Sequence, residues 1–385
     1  MTQQVTGYNG LIEVKDTLPA SYYIDPTHYE RELEAIWYKN WVYVCRADAL
    51  AETRAFRTIE IGSQNILVLR DDDGSLQAFH NTCRHRGSVL VTEPQGLLRS
   101  KNIVCPYHRW TYSQQGGLLR TSSKQCPANF DMTDHSLYDV AVVVWKGFVF
   151  INLAGKAAKP IKESLDKDSV DLDNWPLAEL KVGETFHKTM ECNWKIFWEN
   201  FNECLHCPGV HKALSQLVPI YRRAIMEPHD DPEWAKHINN SDPSFSGGLE
   251  KGAATWSSDG QLVGKSFANL TAEEIKLGYH YAVMAPTVFI IAHADYVRIV
   301  RVMPLGPERT EIQVEWLFSE ETLADETAQI SPAVDFAKTV LNEDAHVSEL
   351  NQKGLRSHRH KKGTLMAEEY AVHDFQNWVR AHLGE

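Results

Sequence analysis

The stretch "NTCRHRGSVL", residues 81–90, places Cys83 and His85 two positions apart. A second mixed pair, Cys105 and His108, follows in "CPYH". In an extended loop, residues i and i+2 point the same way, so each loop offers one sulfur and one imidazole nitrogen. Structural zinc sites usually group Cys with Cys and His with His, whereas a [2Fe–2S] cluster with Cys on one iron and His on the other requires this mixture. The four residues therefore predict such a cluster, with zinc as the competing metal.

The chain around these pairs has the pattern of short β-strands. Runs such as "FRTIEIG", "NILVLRD" and "GFVFINL" lie between Trp41 and about Leu153, separated by Gly and Asp turns. Closely spaced runs of this kind predict a compact antiparallel sandwich or barrel. The polar segment "GKAAKPIKES", residues 155–164, is typical of a linker. We therefore expect an all-β domain over residues 41–158.

The second half, residues 159–385, has the pattern of an α+β domain. A strand in "ETFHKTMECNW" precedes a helical stretch from about Lys195 and a polar section from about Pro228 to Ser258. The β-branched and aromatic runs "TVFIIAHA", "YVRIVRVMP" and "TEIQVEWLF" predict a meander of strands. Two segments with helical spacing end the chain, "AVDFAKTVLNEDAHVSELNQKGL" and "MAEEYAVHDFQNWVRAHL".

A second metal motif lies in "NWKIFWENFNECLHCPGVH". Glu203 and His206 stand at i and i+3, which would be one face of a helix. Pro208 and Gly209 should break that helix, so that His211 turns back toward the same point. Two His with one carboxylate and open positions form the facial triad of non-haem Fe(II) oxygenases. The alternative is that these are buried helix residues with satisfied hydrogen bonds.

The third ligand of such a triad must be a carboxylate that lies far away in the sequence. The segment "LNEDAHVSELNQ" offers Glu343, Asp344 and Glu349. Each of them would equally suit a solvated helical face, and their spacing does not choose among them.

Composition excludes several function classes. The 385 residues carry a formal net charge of -12 at pH 7, which argues against nucleic acid and anionic membranes because Lys and Arg bind phosphates. The N-terminus lacks the pattern of a secretion signal, and the longest apolar run is too short to span a bilayer. We therefore expect a cytoplasmic protein whose seven cysteines bind metal or remain free thiols rather than forming a disulfide framework.

Both motifs resemble those of one known family. "CRHRG" with "CPYHRWTYSQQGGLL" resembles the Rieske iron–sulfur motif of the Rieske non-haem iron oxygenases, although Arg109 stands where many relatives have Gly. The order acid, two residues, His, four residues, His, downstream of "NWK" and "EN", resembles the mononuclear iron motif of the same family. The family pattern of Asp followed by Glu five residues later selects Asp344 as the third ligand. The resemblance extends from the region of Trp41 to the last helix.

The resemblance implies a Rieske [2Fe–2S] domain and a helix-grip catalytic domain, in which an antiparallel sheet wraps a long C-terminal helix. It also implies an N-terminal helical arm, residues 1–40, that packs on the catalytic domain. Electrons would come from NAD(P)H through a separate flavin and iron–sulfur reductase, since "GSQNILVLRDDDG" lacks a dinucleotide-binding turn. The residues implied are Cys83, His85, Cys105 and His108 for the cluster, His206, His211 and Asp344 for Fe(II), and Glu203 and Asn200 for catalysis.

The resemblance further implies a head-to-tail homotrimer in which the cluster of one subunit faces the iron of the next. Glu203 would accept a hydrogen bond from the outer N–H of His206, and His108 of the neighbouring subunit would reach the same carboxylate. The carboxylate would then connect the two metal centres.

The substrate is expected from a narrower resemblance. Glu203 stands where relatives acting on aromatic rings commonly have Asp, and with Cys207 after His206 it resembles the group that acts on quaternary ammonium compounds such as glycine betaine, proline betaine and carnitine. Leu205 departs from the Tyr common in that group. The alternatives are an aromatic ring-hydroxylating alpha subunit, a Rieske electron-transfer protein without oxygenase activity, and a zinc-stabilised binding protein. Aromatic side chains that could face a methylammonium group are Tyr221, Tyr281, Phe289 and Tyr296.

Overall fold

The computed structural model describes residues 7–167, 169 and 171–385. The first six residues of the expected N-terminal arm lie outside the described residues. Contacts divide the chain into two compact units: Leu33–Leu165 with Ala285–Thr287, and the remainder. The arm up to Glu32 therefore belongs to the same unit as the second half of the chain. The boundaries expected at residues 41 and 159 stay predictions.

The arm begins with a two-residue strand and two short helices: β1 (Lys15–Asp16), α1 (Ser21–Ile24) and α2 (Pro26–Glu32). The carboxylate of Glu32, at the end of α2, is fully buried. It accepts hydrogen bonds from the Trp194 indole at 2.8 Å and from Lys195 Nζ at 2.5 Å. A buried ion pair is tolerated only where such partners satisfy both charges. These contacts therefore attach the arm to the second half of the chain.

The unit containing the mixed Cys–His pairs is built from three antiparallel sheets. Its irregular helices are a π-helix at Leu33–Trp37 and four 3-10 helices at Ala47–Leu50, Met132–His135, Gly155–Ala157 and Ile161–Ser164. Its strands are β2 (Val42–Arg46), β3 (Ala55–Ile61), β4 (Gln64–Arg70), β5 (Leu76–His80), β6 (Gln95–Leu97), β7 (Ile103–Val104), β8 (Thr111–Tyr112), β9 (Leu118–Arg120), β10 (Ala141–Trp145) and β11 (Phe148–Asn152).

These strands are ordered β5-β4-β3-β6, β7-β8-β9 and β10-β11-β2. The two pairs lie on loops, one after β5 and the other between β7 and β8. Beneath these loops, Phe79, Ile103, Trp110 and Tyr112 belong to one buried apolar cluster. The predicted all-β domain is thus confirmed, and a buried apolar core packs against the two loops.

The other unit is organised around one five-stranded antiparallel sheet, ordered β12-β16-β15-β14-β13. Its 3-10 helices are Pro219–Arg223, Pro228–Asp230, Trp234–His237 and Ala367–Glu369. Its remaining elements are β12 (Lys181–Met190), α3 (Trp194–Phe201), α4 (Cys207–Val210), α5 (Lys212–Leu217), α6 (Pro243–Ser246), α7 (Ala272–Leu277), β13 (Tyr279–Met284), β14 (Val288–His293), β15 (Tyr296–Gly306), β16 (Arg309–Phe318), α8 (Glu320–Ala324), α9 (Ser331–Leu355), β17 (Thr364–Leu365) and α10 (Tyr370–Leu383).

The 25-residue helix α9 is the long helix expected for a helix-grip fold. Val334, Ala337, Leu341 and Ala345 form a buried stripe along it, with the three- and four-residue spacing of an amphipathic helix. Beside this stripe, Lys338 Nζ bonds Glu184 of β12 at 2.9 Å. The predicted helix-grip architecture is confirmed. Strand β13 was not predicted, and no helix in the described part of the chain is long and apolar enough to span a bilayer.

Candidate metal centres and active-site cavity

The two Cys–His loops present a buried sulfur side and an outer imidazole side. Cys83 and Cys105 are buried, whereas His85 and His108 are more exposed, with ring centroids 4.8 Å apart. The ring of Trp110 stacks on that of His85 at 4.8 Å. Two thiols on one side and two imidazoles on the other fit a [2Fe–2S] cluster whose two irons take different ligands.

Both loops turn through the left-handed region of backbone conformation. Gly87 has φ +77° and donates its N–H to the carbonyl of Cys83 at 2.9 Å, and Arg109 has φ +59° and donates to that of Cys105 at 3.1 Å. Glycine adopts this conformation without steric cost. The geometry therefore accounts for the glycine common in relatives at the position of Arg109.

Burial makes ionisation of the Cys83 thiol unfavourable. Burial raises the pKa of the Cys83 thiol, although the hydroxyl of Tyr112, 3.2 Å from its sulfur, acts in the opposite direction. A buried thiolate at this position is therefore unfavourable unless a cation stabilises it. Because metals bind the deprotonated sulfur, a bound metal would supply that cation.

The second candidate centre brings His206, His211 and Asp344 together. Nε2 of His206 and Nε2 of His211 are 3.2 Å apart, and Asp344 Oδ1 lies 3.5 Å from the first and 2.8 Å from the second. A cation about 2.1 Å from each of three atoms at right angles would hold them about 3 Å apart. Among the described residues, this is the only group of three or more His, Cys, Asp or Glu ligand atoms that all lie within 4.8 Å of one another. The donor set fits Fe(II).

The backbone at this centre differs from the expectation. Helix α3 ends at Phe201, so Glu203 and His206 lie in the turn before α4 rather than on one helical face. Pro208 does not break a helix, because it occupies the first turn of α4, where its missing N–H has no cost. His211 leaves helical geometry, with φ -104° and ψ 70°, and this directs its ring to the centre.

Two further carboxylates hold the outer nitrogens of the imidazoles. Glu203 Oε1 accepts from His206 Nδ1, and Glu343 Oε2 accepts from His211 Nδ1 at 2.8 Å. Glu343 thus faces the ring from outside, while Asp344 faces the open centre. Carboxylates in this position fix the orientation of metal-binding imidazoles. The third candidate, Glu349, bonds the backbone N–H of Glu191 instead.

Hydrogen bonds among the inner atoms shift the pKa values of His206 and Asp344. Burial lowers the pKa of His206, but hydrogen bonds to Asp344 and Glu203 outweigh it and raise that pKa to about 9. Burial likewise opposes ionisation of Asp344, and the bonds from both imidazoles bring its pKa below the ordinary value. The carboxylate is therefore ready to bind a cation.

The triad opens into a cavity of about 80 Å³ whose wall includes six aromatic side chains besides the two imidazoles. Asn200 belongs to the wall, with Nδ2 3.4 Å from His206 Nε2. Tyr296 does not line the cavity as expected: it is fully buried, stacks on Phe318 and donates to the carbonyl of Trp256 at 2.7 Å. The other large side chains of the wall are Phe197, Phe201, Tyr221, Trp256, Tyr281, Phe289 and Arg298.

Sequence reasoning missed Trp256 and Arg298. Trp256 lies in the polar section that showed no periodic pattern, and Arg298 looks like any charged residue of a strand. One cysteine expectation also fails: Cys204 and Cys207, on either side of His206, form a disulfide. The other five cysteines, among them Cys83 and Cys105 of the cluster loops, form no disulfide.

Both parts of the chain match known protein families that contain the expected kinds of metal centre. Residues 40–146 match the family described as Rieske [2Fe-2S] domain. Residues 177–385, more than half of the chain, match the ring hydroxylating alpha subunit (catalytic domain). The chain belongs to the Rieske non-haem iron oxygenases, as an alpha subunit. The oxygenase therefore combines a Rieske cluster domain with a catalytic domain that binds mononuclear iron in this family, as predicted.

Curated relatives of the oxygenase carry the names of quaternary ammonium monooxygenases. The glycine betaine monooxygenase oxygenase subunit of Chromohalobacter salexigens is 28% identical over 94% of this chain and 84% of its own length. Choline monooxygenase of Arabidopsis thaliana is 28% identical over 97% and 84%. The carnitine monooxygenase oxygenase subunit of Escherichia coli is 33% identical over 54% of this chain and 55% of its own.

Solved structures share the fold. A quaternary ammonium Rieske monooxygenase in complex with its substrate gamma-butyrobetaine has a TM-score of 0.68 at 22% identity and covers 96% of both chains. Naphthalene 1,2-dioxygenase from Rhodococcus bound to indole has a TM-score of 0.67 at 19% identity, over 96% of this chain and 95% of its own. Because the two scores are nearly equal, the fold does not decide between these substrates.

Proposed function

We propose that the oxygenase uses O2 and electrons from NAD(P)H, delivered by a separate flavin and iron–sulfur reductase, to oxidise a small quaternary ammonium compound by N-demethylation or C–N cleavage. The observation that carries the proposal is the cavity itself. His206, His211 and Asp344 converge at a small cavity whose walls include Tyr221 and Trp256. Aromatic faces attract an alkylated ammonium group, and the names of the curated relatives support the same substrate class.

In this proposal Cys83 and Cys105 hold one iron of the cluster, and His85 and His108 hold the other. The stack of Trp110 on the His85 ring fixes the plane of that imidazole. Histidine ligation raises the potential of such a cluster to between about -150 and +300 mV, compared with about -400 mV for clusters held by Cys alone.

His206, His211 and Asp344 would hold the mononuclear Fe(II), which activates O2 when bound. Glu203 and Glu343 keep the two imidazoles in the tautomer that presents Nε2 to the metal. The aromatic walls exclude water and position the methyl groups of the substrate. The amide of Asn200, which lines the same cavity beside His206, would hydrogen-bond oxygen or substrate at the open side of the centre.

We further propose that the chain forms a head-to-tail cyclic trimer in which Glu203 links His206 to His108 of the next subunit. A heterologous contact that closes on itself produces such a ring. A related structure is described as giving insight into inter-subunit electron transfer, which supports this arrangement. Reconstituted with excess Fe(II), Glu203→Gln should keep both metals and the trimer but slow reoxidation of the reduced cluster in single-turnover spectroscopy. An unchanged rate in both Glu203→Gln and Glu203→Ala would exclude the link.

A substrate panel with a surrogate reductase tests the activity. Betaines and carnitine should consume NAD(P)H and release formaldehyde or another aldehyde. Dihydroxylation of an aromatic ring coupled to NAD(P)H consumption, without turnover of any quaternary ammonium compound, would refute the proposal.

A further inference from the structure

Arg298 is a buried cation that the proposed chemistry does not yet use. It lies on β15, is 4% exposed, and lines the cavity together with Asp344 and both ligand imidazoles. In the part of the chain that the structure describes, no hydrogen bond and no ion pair reaches its guanidinium, and its Nε is fully buried. By contrast, Arg301 on the same strand is 3.2 Å from Glu311.

Burying a charge without a partner is expensive, and native proteins rarely leave such a group unsatisfied. The ring of Trp256 lies 5.8 Å from the guanidinium carbon, which is a cation–π contact but satisfies no N–H donor. The guanidinium forms no ion pair with Asp344, whose Oδ1 contacts His206 and His211 instead. Because Arg298 lines the cavity, the guanidinium N–H donors that face the cavity are available to a bound molecule.

We propose that Arg298 binds an anionic group of the substrate, a carboxylate, so that the substrate is a zwitterion with a quaternary ammonium at one end and a carboxylate at the other. That the substrate carries a quaternary ammonium rests on the proposed function, whereas that it carries a carboxylate rests on Arg298 alone. A substrate that is only a cation would share a cavity of about 80 Å³ with a second, uncompensated cation. A carboxylate removes that repulsion and pairs with the planar guanidinium through two parallel hydrogen bonds.

The inference distinguishes among the quaternary ammonium compounds that appear in the names of the relatives. Glycine betaine and carnitine carry a carboxylate, whereas choline carries a hydroxyl and no anion. We therefore expect the oxygenase to bind betaines and to discriminate against choline.

Four probes of nearly equal shape separate the two charges. Glycine betaine has both charges, choline has only the cation, tert-butylacetate has only the anion, and tert-butylethanol has neither. Their binding is measured by calorimetry on the oxygenase with both metals bound, without reductase and without O2, so that no turnover occurs. A second series built on gamma-butyrobetaine, with its alcohol and its tert-butyl counterparts, covers a longer spacing between the charges.

The wild-type protein should bind each carboxylate roughly 10- to 100-fold more tightly than the matching alcohol, which is the usual contribution of a charged hydrogen bond. Arg298→Gln should abolish this preference without weakening the binding of choline. Arg298→Lys, which keeps the charge but loses the paired geometry, should retain part of it. Arg301→Gln is the matched control and should leave the preference unchanged.

The outcomes distinguish the two proposals. If Arg298→Gln or Arg298→Lys folds, holds its iron and keeps the full carboxylate preference, Arg298 has only a structural role and the inference is wrong. The inference is equally wrong if wild-type protein prefers no carboxylate in either series. A third outcome separates the two proposals: carboxylates are preferred, Arg298→Gln abolishes that preference, and trimethylammonium probes bind no better than tert-butyl probes. In that case Arg298 is confirmed as the carboxylate site and the quaternary ammonium proposal fails.

Discussion

Glu199 makes the stability of the catalytic unit depend on pH. Its carboxyl group is half-buried on α3, where Oε1 accepts hydrogen bonds from the Tyr23 hydroxyl at 2.6 Å and from Gln376 Nε2 at 2.9 Å. Burial raises the pKa of Glu199 from an ordinary value of 4.5 to about 7, although these two bonds and the charge of Lys195 act against the rise. The folded protein thus keeps this group protonated over a pH range in which the unfolded chain has ionised it.

A raised carboxyl pKa stabilises the fold below pH 4.5, and this contribution is lost as the pH rises to about 7. At about 1.36 kcal/mol per pKa unit, the loss is about 3 kcal/mol. Glu199→Gln keeps the shape and cannot ionise, so its free energy of unfolding should exceed that of the wild type by a margin that grows by about 3 kcal/mol from pH 4.5 to pH 7.5.

Urea unfolding of both proteins across this range, followed by circular dichroism, measures the margin. Subtracting the two profiles removes the titration of all other groups. Parallel profiles, with a margin independent of pH, would show that Glu199 titrates normally and that the reasoning is wrong.

Three further substitutions test other contacts. Glu343→Gln removes the charged acceptor behind a ligand imidazole and should weaken Fe(II) binding roughly 10- to 100-fold in a chelator competition; affinity equal to that of Glu349→Gln would contradict this role. Lys195→Met leaves the Glu32 carboxylate buried without its cationic partner and should lower the free energy of unfolding in urea by about 3–5 kcal/mol. Adding Glu32→Gln should recover most of that loss, and no recovery would contradict the pairing. Arg109→Gly relieves a left-handed backbone and should raise stability by up to about 1 kcal/mol without altering the cluster spectrum, so a lower melting temperature would count against this explanation.

The sequence indicated candidate ligands for both centres more accurately than it indicated the local structure around them. The mixed pairs at Cys83 and Cys105 predicted the cluster because the chemistry of the metal restricts which residues bind it. The helix break was predicted at Pro208, but α3 ends seven residues earlier, at Phe201. A proline is unfavourable inside a helix and harmless in its first turn, and the sequence alone does not show which position it occupies.

Features that depend on tertiary structure were not predictable. Glu343 and Asp344 are neighbours of the same charge, so their spacing left the choice open and only the family pattern selected Asp344. The physical reason lies in the position of α9, which places Asp344 at Nε2 of His211 and Glu343 at Nδ1. Arg298 and Arg301 are equally unremarkable in "YVRIVRVMP". Residues three apart on a strand face opposite sides, and only the folded sheet shows which side borders the cavity.

The central claim, that one chain holds a Rieske cluster and a separate iron on His206, His211 and Asp344, is tested most directly by iron and acid-labile sulfide analysis of wild-type protein and of Asp344→Ala. Both proteins are reconstituted with excess Fe(II), and Glu343→Ala serves as the neighbouring control. Wild type and Glu343→Ala should hold one iron beyond the two irons and two sulfides of the cluster. Asp344→Ala should lose that iron alone and keep the cluster spectrum. Retention of the extra iron in Asp344→Ala with its loss in Glu343→Ala, or zinc without sulfide in the wild type, would contradict the account.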